Sequence, residues 1–228
     1  MENKVWRQIL GAPGYTPVAA LQGEIGASTV RGRDMKIKIT FAQYMFRTRN
    51  GLLEGIFRKM IDEVRPRRWM RQLGKYTGEL GISLSHLRTM SGEEVGGAVN
   101  RWEGEGWRRD VESKTALQLY RNKVSIGDED IYCNRLGAVI LFQCRTNTLR
   151  LKWRQGFVGG AVDCPLCGAV EETVAHFVTE CVVLEWVREQ FGVTREVLEE
   201  ILLFRGRTHE KVERSIALLE EMWRRRRR

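Results

Sequence analysis

The sequence predicts a mainly α-helical protein: a helical bundle-like region, then a small metal-binding knuckle, then C-terminal helices. Three observations point there. Apolar residues recur at helical intervals through most of the 228 residues. Alternating apolar and polar runs, the mark of half-buried strands, are scarce. Four side chains of metal-ligand type, Cys164, Cys167, His176 and Cys181, crowd into one short segment.

Residues 2–10 form a short helix, ended by the turn Gly11-Ala12-Pro13-Gly14. Thr16-Pro17 predicts a helix start, with a hydroxyl cap and proline in the first turn. The pattern runs through Val18, Leu21 and Ile25, pauses near Gly26 and restarts at Ser28 or Thr29. Met35, Ile37, Ile39, Phe41, Tyr44 and Met45 continue it until Asn50-Gly51 breaks the chain. Leu52, Leu53, Ile56, Phe57, Met60, Ile61 and Val64 mark a third amphipathic helix, which Pro66 ends or kinks. Another opens within Arg65 to Arg71 and fades at Gly81.

Ser91 with Glu94 matches a capping box, and Val95, Val99 and Trp102 follow as a weak helix. Gly104-Glu105-Gly106 is expected to interrupt it, before a segment from about Trp107 to Val124. The loop 125–130 is the best candidate boundary, and its acidic Asp128-Glu129-Asp130 reads as a solvated loop. Residues 132–145 read as a buried helix carrying Leu136, Val139, Ile140 and Leu141, with Cys133 and Cys144 as buried free thiols on nearly one face. Apolar stretches at 182–191 and 197–204 follow, then a last helix from about Thr208 to the terminal arginines. Three regions are expected: 1–125 helical, 126–204 with the knuckle, and 205–228 a C-terminal helix with an Arg-rich tail.

Bulk composition narrows the function classes. The 43% hydrophobic and 29% charged content is that of an ordinary globular protein. Five cysteines, an odd count, behind a start without a secretory signal argue against a disulfide framework. The longest apolar run, Ala138 to Phe142, is too short to cross a bilayer. A nuclear or cytoplasmic protein without membrane attachment is expected. Five of the charges behind the net +9 are Arg224 to Arg228, which leaves +4 on the rest. The excess therefore reads as a basic tail rather than a basic domain. Nucleic-acid binding, nuclear import and an arbitrary end all remain open for that tail. Arg65 to Arg71 reads as phosphate-contacting or as an amphipathic surface helix. His86 and His209 stand alone, and satisfied or surface histidines are the default.

The metal-ligand segment is spaced C-x2-C-x8-H-x4-C. Two cysteines two residues apart form a tight turn whose sulfurs can reach one ion. Gly168 lets the backbone turn left-handed after Cys167, where N–H groups can donate to the thiolates. His176 falls on a short helix beginning near Glu171 or Glu172. Cys181 is five residues on, about 140° around an ideal helix, so the helix must end or distort before it. Three thiolates and an imidazole close a tetrahedron, which predicts one structural Zn2+ and no catalytic one. The plain alternative is a redox CxxC beside two unrelated residues.

The segment resembles the zinc-binding motif downstream of the reverse transcriptase domain in non-LTR (LINE-type) retrotransposon polyproteins. The matching phrases are Cys164-Pro-Leu-Cys-Gly, Glu171-Glu-Thr-Val-Ala-His-Phe and Glu180-Cys181. The lead-in Arg145 to Leu151 also looks like the approach to that motif, and Leu10 to Gly26 resembles the region after the polymerase palm. Residues of about 80–130 match weakly. The resemblance implies a helical region downstream of the palm over 1–125 and a reverse-transcriptase-type zinc-binding domain over 126–204. It also implies a chain that begins after the palm. No Tyr-x-Asp-Asp of a polymerase occurs, and no Pro-Asp, acid and lysine arrangement of a nuclease follows Cys181. The chain is therefore expected to be no enzyme and to take no small-molecule substrate.

Two functions follow. The first is binding of RNA or single-stranded DNA, with Arg150, Lys152, Trp153, Arg154 and Phe177 as candidate contacts beside the metal. For Trp153 and Phe177 the alternative is core packing, and for the three basic residues a solvated face. The second is a structural or interaction element that packs against the polymerase domain of a parent polyprotein and binds no nucleic acid. An exposed apolar face on residues 17–64 would mark that second role.

Overall fold

A computed structural model describes residues 2–63, 65–127, 135–152, 160–169, 171–205 and 208–227. Among them the protein is mainly α-helical, with no strand. The helices are α1 (Glu2–Ile9), α2 (Val18–Ile25), α3 (Val30–Arg47), α4 (Gly51–Asp62), α5 (Arg68–Glu79), α6 (Leu84–Thr89) and α7 (Gly92–Glu112). After two 3-10 turns come α8 (Leu136–Arg145), a π turn (His176–Glu180), a further 3-10 turn, α9 (Glu185–Phe191), α10 (Arg195–Leu202) and α11 (His209–Arg226). Two compact units result, Ala27–Trp107 and the remainder, 1–26 with 108–228.

The boundary expected at 125–130 is thus replaced by boundaries at Gly26 and Trp107, and the C-terminal helix is no separate region. The physical reason is packing. Val212, Ile216, Leu219 and Met222 form one stripe of α11, which lies against α8 in the core of the second unit. The two helices approach so closely that a Cβ on Gly137 would sit 2.0 Å from the Ile216 carbonyl oxygen. Only glycine fits there. Arg145, wholly buried on α8, donates to the Ile201 carbonyl at 2.8 Å and lies 3.9 Å from the centre of the Phe204 ring. Glu24 of α2 approaches both Arg145 and Lys123 at 3.9 Å, so these buried charges come with partners of opposite sign.

In the unit 27–107, α3 packs against α4, α5 and α6 around Met35, Ile39, Phe57, Leu73 and Leu87. Side chains set the helix starts locally. Thr29 caps α3 by accepting from the Gly32 N–H at 2.9 Å, Asn50 caps α4, and Ser91 with Glu94 forms the expected capping box on α7. Thr16 does not act as a cap: Pro17 holds that position and α2 begins at Val18.

α7 also runs unbroken through Gly104-Glu105-Gly106, contrary to the expected interruption. Each helical glycine costs about 1 kcal/mol relative to alanine. Buried side chains on the same helix offset this: Trp107 and Val111 are both buried, and large apolar side chains contribute about 1.5–3 kcal/mol each on burial. Glu103 adds two bonds to Thr29, from its N–H and its hydroxyl, both at 2.7 Å.

Candidate metal centre

The knuckle is built by short-range backbone bonds. The Cys164 N–H donates to the Ala169 carbonyl and the Gly168 N–H to the Cys164 carbonyl, both at 2.9 Å. Gly168 has φ +73°, the left-handed conformation expected of it. Burial pushes the Cys167 thiol up, but the Ala169 N–H and the neighbouring Cys164 and Cys181 sulfurs outweigh it and hold the thiol below its ordinary range.

His176 and Cys181 reach one point through the π turn. The Thr173 hydroxyl accepts from the His176 N–H at 3.0 Å and starts the segment. The Cys181 N–H then donates to the His176 carbonyl at 2.8 Å, five residues back rather than four. In an α-helix residue 180 would sit one turn beyond His176; the π turn gives that place to Cys181. This is the distortion that the spacing demanded. Arg188 of α9, itself buried, braces the exit by donating to the carbonyls of Val178 at 3.2 Å and Cys181 at 2.7 Å.

The four ligand atoms lie within 4.8 Å of one another, and the Cys167 Sγ is 3.3 Å from the His176 Nε2. A tetrahedral ion with metal–sulfur bonds of about 2.3 Å separates its sulfurs by about 3.8 Å. The cluster therefore fits a metal ion with small movements. Cys164, His176 and Cys181 are buried and Cys167 is half-buried. Burial pushes the Cys181 thiol up to about 12. Glu180 places Oε2 3.9 Å from His176 Nδ1, on the far side of the ring from Cys167.

A second ring of contacts, missed in the sequence, anchors the segment to the helices. Glu172, fully buried, accepts from the Lys152 N–H at 2.8 Å and from Arg226 at 2.5 and 2.6 Å. Arg226 belongs to the terminal arginine run, whose members Arg224, Arg225 and Arg226 are all paired. Arg224 pairs with Glu220, and Arg225 pairs with Glu221 at 2.7 Å and lies over the Trp186 ring at 4.8 Å. The i,i+4 spacing of those last two pairs was a readable signal; Glu172 and Arg226, far apart in sequence, offered none.

With these arginines paired, the positive charge is concentrated elsewhere. Residues 27–107 hold 15 basic and 9 acidic residues, a net +6 of the chain's +9. The excess is a property of one folded unit more than of the terminus.

The candidate nucleic-acid contacts divide. Arg150 is exposed and Lys152 half-buried, whereas Trp153 and Arg154 lie outside the described residues, as do Cys133 and Asp128 to Asp130. Phe177 is corrected: it is 1% exposed and packs edge-on against Trp223, with no face left for a base. It is core. Arg65, Arg67, Arg68 and Arg71 are all exposed. No family model, curated protein or solved structure matches the chain.

Proposed function

We propose that the chain is a zinc-stabilised nucleic-acid-binding module, of the kind found downstream of the polymerase in LINE-type retrotransposon proteins. Zn2+ is the ion that three thiolates and one imidazole suit best, and a closed set of four ligands gives it a structural role. Its task is to hold the knuckle against α9, α10 and α11. The module contributes no catalytic group of its own.

The observation that carries the nucleic-acid reading is the outer face of α5. Arg68, Arg71 and Lys75 lie exposed on one side of the helix, opposite buried Leu73. Gly74 and Gly78 stand among them with nothing within 4 Å of a would-be Cβ. No packing need explains two helix-weakening glycines there, while a phosphate backbone drawn to the three cations could approach the bare helix closely.

The test joins metal analysis with binding to single-stranded RNA and DNA over a range of salt. The reading expects one zinc per chain and affinity that falls steeply as salt rises. An Arg68→Glu, Arg71→Glu variant with normal metal content should bind far more weakly. Unchanged affinity in that variant sinks the assignment of this face.

A further inference from the structure

Helix α3 is apolar on two opposite sides. Its inner side, with Met35, Ile39 and Ala42, is buried in the unit 27–107. On its outer side Val30, Ile37, Phe41 and Tyr44 are between 50% and 68% exposed. At 100° per residue these four fall within about 60° of one another and point away from the inner set. Their spacing of seven, with Phe41 four residues after Ile37, is that of a seam that receives a second helix. An apolar stripe that the unit's own core leaves exposed, rimmed by charged side chains, is the pattern of an interaction surface.

We propose that this outer stripe is the docking face for an acidic amphipathic helix of a partner protein. Charge selects the occupant. Arg33, Lys36 and Arg47 run along one flank of the stripe, within about 100° of its centre. A second copy of this chain, paired antiparallel about a two-fold axis, would set that basic flank against itself, and a parallel pair would set it against the other flank, where Arg31 and Lys38 outnumber Asp34. A partner helix with carboxylates beside its apolar stripe meets it with opposite sign. Single-stranded nucleic acid would use Phe41 and Tyr44 for stacking but gain little from Val30 and Ile37, which have no π-face. The aliphatic pair favours protein.

The inference stands apart from zinc and from the basic face of α5, and its test separates them. The full chain is titrated with a synthetic peptide of Leu, Ala and Glu whose leucines follow the heptad a and d positions, and with a scrambled peptide of the same composition. The ordered peptide should bind at least about tenfold more tightly than the scrambled one. Ile37→Ser with Tyr44→Ser, two exposed positions, should remove that difference while helicity and metal content stay unchanged. Lys36→Glu should weaken binding of the ordered peptide alone. Equal binding of both peptides overturns the proposal, as does retention of the difference in the double variant. Loss of RNA binding in that variant, with peptide binding intact, would assign the face to nucleic acid instead.

Discussion

The carbonyl of His176 accepts the N–H of Cys181 at 2.8 Å, so the last two candidate metal ligands are joined by a single π-type hydrogen bond. The x4 spacing between them works only because of that bond. One alanine inserted after Val178 keeps all four ligands but rotates Cys181 by about a further 100°. The expected outcome is a loss of stoichiometric metal, measured by elemental analysis of purified protein. Insertion of an alanine into the α3–α4 turn, after the exposed Arg49, should leave metal content unchanged.

Metal binding should tighten as pH rises, because each thiol must give up its proton. Stability without metal runs the other way for Cys181. Its thiol is held protonated up to about 12 in the folded state, against about 8.5 in an unfolded chain. A group with a raised folded pKa contributes stability that is complete below the unfolded value and lost as pH climbs toward the folded one. Cys167, shifted downward, opposes this in the window below the ordinary thiol range. Cys144 shifts upward like Cys181, but equally with and without metal, so it cancels. The gap between the melting temperatures of metal-loaded and chelator-treated protein should therefore widen from pH 7 to pH 9. A gap that narrows over that range sinks the assignment of buried thiolate ligands.

What was legible in the sequence is what forms locally. Ser91 with Glu94, Thr208 at the head of α11 and the turn at Gly168 are side-chain or backbone choices settled within a few residues. The clustering of Cys164, Cys167, His176 and Cys181 was legible for the same reason. α7 was misread because two glycines speak against a helix locally, whereas the burial of Trp107 and the bonds of Glu103 decide the matter from elsewhere in the fold. Periodicity also placed Ile37, Phe41 and Tyr44 on a helix without saying which of its two apolar sides faces the core. The packing of Phe177 and the pairing of Arg226 were not legible because their partners, Trp223 and Glu172, lie far along the chain.

Glu172 and Arg226 form a close, largely buried ion pair. The carboxylate side chain is 1% exposed, and removing its partner leaves a buried charge. Such breaks cost about 3–5 kcal/mol. Arg226→Ala should lower unfolding free energy in urea by that order, and Glu172→Gln with Arg226→Met should recover part of it. Arg224→Ala removes an exposed pair and should cost no more than about 1 kcal/mol. Equal effects of the two single substitutions would mean that the terminal arginines are interchangeable.

Gly137 tests the close approach of α8 and α11. An alanine there meets the backbone of Ile216, which cannot rotate aside as a side chain would. The helices must separate, at a cost of about 1–3 kcal/mol or more. Gly14→Ala, where nothing lies within 4 Å, is the control and should be close to neutral. Denaturant midpoints of the two variants give the comparison directly.

The basic face of α5 makes a quantitative demand on salt dependence. Each phosphate contact with a single strand contributes about 0.7 to the slope of log affinity against log salt. If Arg68, Arg71 and Lys75 each meet a phosphate, replacing all three by glutamine should flatten that slope by about 2. Replacing Arg150 and Lys152, beside the knuckle, should flatten it by about 1.4 if both also reach the strand. Lys152 is half-buried, whereas Arg68, Arg71 and Lys75 are all exposed, which favours the larger effect at α5. A slope unmoved by the α5 substitutions but reduced by those at 150 and 152 would return the binding surface to the metal segment. The opposite result places it on the unit that carries most of the net charge.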